Sequence, residues 1–64
     1  MNKNRILELL TDKKVKIYYN GKECERYSDE EHLFLEVGGL EDIIYWDNVD
    51  FTKFTFWREF DATI

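Results

Sequence analysis

Hydrophobic residues along the chain change their period once. Ile6, Leu7, Leu9 and Leu10 fall within roughly half of a helical circumference, and Asn2 or Asn4 ahead of them suits a helix cap. This spacing predicts a helix over about residues 3–12, followed by Lys13 and Lys14, cations that match its C-terminal dipole. A helix of that length is too short to be stable alone, so its apolar stripe has to dock on something. From residue 14 onward the period becomes two, and strands are expected over about 14–19, 22–27, 32–37, 42–47 and 51–58.

Turn residues set the expected registers. Asn20-Gly21 favours a two-residue type I′ hairpin, which puts Tyr19 opposite Lys22, Tyr18 opposite Glu23 and Ile17 opposite Cys24. A loop over 28–31 pairs Tyr27 with His32, Glu25 with Phe34 and Cys24 with Leu35. A four-residue turn over 38–41 pairs Leu35 with Ile44, Phe34 with Tyr45 and Leu33 with Trp46. One face then collects Val15, Ile17, Tyr19, Cys24, Leu33, Leu35, Val37, Ile44 and Trp46, and this is the face for the helix to cover. The other face collects Tyr18, Glu23, Glu25, Tyr27, His32, Phe34, Glu36, Ile43, Tyr45 and Asp47.

The last turn, around residues 47–50, leaves parity open. An even-length loop sends Phe54 and Phe56 to the outer face, whereas an odd-length loop sends Phe51 and Trp57 there, because a one-residue slip inverts every side chain. The even case is carried forward, adding Phe54 and Phe56 to the outer set. The expected fold is α+β, with a short N-terminal helix packed on one face of a four- to five-stranded, mostly antiparallel meander, as a single domain over residues 1–64. One short helix cannot shield both faces of such a sheet, so aromatic side chains are left for water or a partner, unless residues 58–64 fold back over the second face or the sheet curls into a small barrel.

Composition narrows the chemistry. At 64 residues the chain is near the lower limit for a core that holds a fold unaided. One cysteine and one histidine exclude an intrachain disulfide and a Cys/His zinc constellation. A hydrophobic share of 44%, with 17% aromatic residues, suffices for a core despite 36% charged residues. No apolar run approaches about 18 residues and no basic-then-apolar leader opens the chain, so neither a membrane segment nor a signal peptide is expected, and the cytoplasm is the expected location. Cys24 and His32 fall on opposite faces in these registers, which separates the sole nucleophile–base candidate. Residues 47–50 lack the spacing and closing Glu of a calcium loop, and the glycines are accounted for by hairpins. No catalytic residue, metal site or cofactor is expected.

Charge separates the remaining readings. Residues 1–22 hold six basic and two acidic side chains, residues 23–64 three basic and twelve acidic, and the whole chain is −5. That balance opposes direct binding to a phosphate backbone and favours a basic protein surface. The expected partner-binding residues are Tyr18, Glu23, Glu25, Tyr27, Phe34, Glu36, Tyr45, Asp47, Phe54 and Phe56. Phe, Tyr, Met, Ile, Asn and Lys, with A/T-rich codons, outnumber Gly, Ala, Arg and Pro, which points to an A/T-rich bacterium or its phages and plasmids. The expectation is a small acidic inhibitor of a host nucleic-acid-handling enzyme or effector, serving anti-defence or host takeover as a nucleic-acid mimic. The alternatives are a homodimeric structural or regulatory module and a small RNA or single-stranded DNA binder using the basic N-terminal third.

Overall fold

A computed structural model describes residues 2–58. Helix α1 spans Lys3–Leu10, two residues shorter than the periodicity suggests. Asn2 caps it by accepting the Arg5 amide at 2.9 Å. At the other end, the Thr11 amide and hydroxyl both turn back to the Glu8 carbonyl, at 3.1 and 2.6 Å, and the Asp12 carboxylate accepts the Lys14 amide at 2.9 Å. These side-chain bonds offer the backbone a turn in place of another helical residue.

Five strands follow: β1 (Val15–Tyr19), β2 (Lys22–Cys24), β3 (His32–Val37), β4 (Leu40–Tyr45) and β5 (Phe54–Arg58). They form one open antiparallel sheet in the order β4-β3-β2-β1-β5. β1 to β4 run as a meander, and β5 returns to the free side of β1. The expected α+β class and meander are what the chain adopts.

The first hairpin has the expected register, Tyr18 opposite Glu23 and Tyr19 opposite Lys22, with φ of 51° at Asn20 and 83° at Gly21. Positive φ at both central residues is what a type I′ turn requires. The second register, Cys24 opposite Leu35, is also as expected, although β2 stops at Cys24 rather than near residue 27. The third differs. Gly38 and Gly39, with φ of 56° and 85°, close a two-residue turn, so Leu33 pairs with Ile44, Phe34 with Ile43 and His32 with Tyr45. The slip from the expected four-residue turn is two positions, so every side chain keeps its face while its partner changes.

Beneath α1 the core gathers Ile6, Leu10, Val15, Ile17, Cys24, Leu33, Leu35, Trp46 and Phe54. The helix does not cover this face alone. The β4–β5 connection makes two 3-10 turns, Trp46–Asn48 and Phe51–Lys53, and packs Val49 and Phe51 against the same core. Phe51 stacks on Trp46 with ring centres 6.1 Å apart, and the Tyr19 hydroxyl accepts the Asp50 amide at 3.0 Å. Arg26 fixes the helix end to the sheet by donating to the carbonyls of Leu10, Asp12 and Val15 at 3.1, 2.9 and 2.7 Å.

The connection decides the parity that the sequence left open. Ile17 pairs with Phe56 and Tyr19 with Phe54, so both phenylalanines lie on the helix side, contrary to the expectation that they face outward. Phe54 is buried, touching Tyr19 edge-on at 5.0 Å and Phe51 at 5.8 Å. The physical reason is that Trp46, Phe51 and Phe54 bury one another within the connection, which turns β5 so that Trp57 faces out beside Lys16. Phe51 itself packs on the core, so the outer face gains one late aromatic rather than two.

Candidate functional site

The outer face of the sheet is assembled by backbone register. Tyr45 stands opposite His32, Ile43 opposite Phe34, Tyr18 opposite Glu23 and Thr55, and Trp57 opposite Lys16. Rings meet in a chain: Tyr27 to Phe34 at 5.2 Å, Phe34 to His32 at 5.7 Å and His32 to Tyr45 at 4.9 Å. Such tilted contacts are favourable geometry for aromatic groups. Phe34 and His32 are half-buried, while Tyr27 is 56%, Tyr45 58% and the neighbouring Ile43 49% exposed, as is Trp57, on β5 at the far edge, at 54%.

Carboxylates border it. Glu23 stands opposite Glu36, and Glu36 opposite Glu41, giving a row of three like charges across β2, β3 and β4. Directly opposed like charges destabilise an antiparallel pair. Partial relief comes from the Gly39 amide, which donates to Glu36 at 2.9 Å, and from the Tyr27 hydroxyl, which donates to Glu41. The bond to Glu41, more than desolvation, pushes the Tyr27 phenol up to about 12.

The loop before β3 orients the centre of the face. The Asp29 carboxylate accepts the amides of Glu31 and His32 at 2.9 and 2.8 Å, and its Oδ1 lies 3.3 Å from His32 Nδ1. The backbone bonds hold its carboxyl below the usual range, with the His32 contact adding to them. The carbonyl of the same residue accepts Trp46 Nε1–H at 2.7 Å on the opposite face.

Of the expected partner-binding residues, the structure places Tyr18, Glu23, Glu36, Phe34 and Tyr45 on the outer face by register, and Tyr27 joins them through its contact with Phe34. Glu25 is half-buried beside Phe34, its amide donating to the Phe34 carbonyl at 2.7 Å. Asp47 is exposed, but it sits in the 3-10 turn beyond β4 rather than on the strand. Phe54 and Phe56 belong to the other face. Glu41 and Trp57 are on the outer face without having been singled out. A two-residue reading of Gly38-Gly39 predicts Glu41 opposite Glu36, and the odd-loop alternative already pointed to Trp57.

Cys24 is buried, and burial first, then Glu23 and Glu25, pushes its thiol up to about 12, so it stays protonated at neutral pH. Among the described residues no cluster of His, Cys, Asp and Glu has the geometry to hold a metal ion, and no helix is long and apolar enough to cross a membrane. No known family model matches the chain, and neither curated proteins nor solved structures give a significant match.

Proposed function

We propose that the protein is a non-enzymatic interaction module whose outer sheet face docks a basic surface of another protein. The observation that supports this reading is the outer-face cluster of the Tyr27, Phe34, His32 and Tyr45 rings with Ile43, lying beside the Glu23–Glu36–Glu41 row. Aromatic side chains supply anchoring energy when desolvated by a partner, and carboxylates steer a cationic surface into register and reject acidic ones. A row of opposed carboxylates costs the isolated fold stability, and a cationic partner offsets that cost. Surfaces of this charge are common on proteins that handle nucleic acid, so the specific role proposed is inhibition of such a protein by occupation of its nucleic-acid site, in the cytoplasm, with the coding sequence carried by a phage or mobile element. That last step rests on size, net charge and codon usage.

The test uses immobilised protein, wild type and the double variant Phe34→Ala/Tyr45→Ala, exposed to bacterial lysate at low and high salt. Retained proteins are identified by mass spectrometry, purified and titrated with duplex DNA as competitor. The expected result is a basic protein held by the wild type at low salt, released at high salt, displaced by DNA and lost with the double variant. A folded double variant that retains the same protein defeats the proposal. So does a double variant that unfolds, since its rings would then be core.

A further inference from the structure

We infer that the two open edges of the sheet are complementary halves of one joint, the free edge of β4 in one copy pairing with the free edge of β5 in a second copy. Among the described residues β4 and β5 have one strand neighbour each. A free edge presents unpaired N–H and C=O groups and is a template for another strand. On β4 the Ile43 amide turns to the carboxylate of its own neighbour Asp42, at 3.0 Å, a local substitute for a strand partner. Proteins blunt such edges with proline, with shortened strands or with charged side chains, and of these β4 carries only the last, Glu41 and Asp42. This chain has no proline, and β4 and β5, at six and five residues, match the interior strands β3 and β1.

Charge selects which edge meets which. Within the strands themselves, β4 carries Glu41 and Asp42 and no cation, whereas β5 carries Arg58 and no carboxylate. Each edge therefore repels a copy of itself and attracts the other, which favours a head-to-tail contact over a two-fold one. The ion pairs these groups make within the chain, Lys22 to Asp42 at 3.9 Å and Arg58 to Asp12 at 3.8 Å, are exposed and long, and such pairs contribute little.

Shape agrees with charge. Phe56 and Trp57 project to opposite faces of β5 and line a shallow cleft on each side of its edge, one with Lys16 and Tyr18, the other with Arg5 and Leu9. An incoming strand presents alternate side chains to the two faces. Strand β4, with Ile43 and Tyr45 outward and Ile44 inward, has apolar groups for both. The joint leaves the outer face open and lines up the ring clusters of successive copies, so it stands independently of what that face binds. Because the contact is heterologous, association does not stop at a dimer unless a ring closes.

Sedimentation equilibrium from about 10 to about 1,000 μM, the range for an interface of modest area, tests the joint. Ile43→Lys blocks β4 and Trp57→Lys blocks β5, with melting curves to establish that each variant folds. The wild type is expected to exceed the mass of a dimer of the 7.8 kDa chain as concentration rises, less so at high salt. Each variant alone is expected to remain monomeric, and their equimolar mixture to form a dimer and nothing larger. Should either variant fail to fold, Tyr45→Lys or Thr55→Lys, exposed on the same edges, replaces it. A wild type that stays monomeric throughout, a mixture that stays monomeric, or a single variant that still associates would each overturn the inference.

Discussion

The two faces of this sheet are written in the same alphabet and end in different states. On the helix side Trp46 and Phe54 are sunk into a core with Leu33, Leu35 and Ile17, while on the other side Tyr27, Tyr45 and Trp57 stand more than half exposed. Aromatic side chains do not separate them, since both faces carry them, although among the described residues the buried core holds no charged residue and the outer face carries the Glu23–Glu36–Glu41 row. What separates them is what crosses over: α1 and the 46–53 connection on one side, and no described element on the other. A ring becomes core or contact surface according to its cover, and composition alone does not say which.

The sharpest way to break that contrast is to truncate neighbours on β3 and β4 that point opposite ways. Leu33 is fully buried at the centre of the core, and Leu33→Ala is expected to cost about 2–5 kcal/mol, a large part of the stability of so small a domain. Ile43, one position from Leu33's partner Ile44, is expected to tolerate alanine within about 1 kcal/mol. Urea unfolding monitored by circular dichroism measures both. Equal losses would show that the outer face is a second core, and the interaction reading would fall with the contrast.

A smaller loss is expected at the joint between the helix and the sheet. Arg26→Ala removes the guanidinium donors to Leu10, Asp12, Lys13 and Val15 and leaves four carbonyls, of the helix end, the following turn and the start of β1, without them. Water replaces part of what is lost at this exposed site, so about 1–3 kcal/mol is expected in urea unfolding. Arg26→Lys should recover little, because one ammonium cannot match the planar fork. Full recovery by lysine would mean that charge near the helix C-terminus matters more than the geometry of the clamp.

How much was legible in the sequence follows the range of the interactions involved. The Asn20-Gly21 hairpin and the Cys24–Leu35 register were readable because turn chemistry is local and a strand's period is two. Gly38-Gly39 predicts a turn, but the four-residue length expected for it is two residues too long. Two glycines in succession already supply the two positive φ values a type I′ turn needs, so Leu40 and Glu41 were free to enter the strand. The orientation of β5 was not readable. It depends on Trp46, Phe51 and Phe54 packing together through two 3-10 turns, a tertiary contact with no periodic trace. That single missed parity is what moved Phe54 and Phe56 off the candidate face and Trp57 onto it.

The smallest effect expected is a pH dependence seated in the loop that serves both faces. Asp29 orients His32 on the outer side through its carboxylate and holds the Trp46 indole on the inner side through its carbonyl. Amide donors from Glu31 and His32 hold its carboxyl below the ordinary range, so the folded chain binds this proton less readily than the unfolded one. A group depressed in this way contributes stability that is present above its unfolded pKa, near 4, and is lost as pH falls through the lower folded value. Asp29→Asn should therefore lower the melting temperature slightly at neutral pH, and the gap to wild type should close below about pH 4. The acid-induced change should reach the Tyr45 and His32 ring signals in NMR spectra before those of Trp46, because the carboxylate faces outward and the indole is held by a carbonyl that does not titrate. A gap that persists unchanged at low pH would assign the effect to loop shape rather than charge, and simultaneous movement of the Trp46 signals would show that the two faces are coupled through this residue rather than merely joined at it.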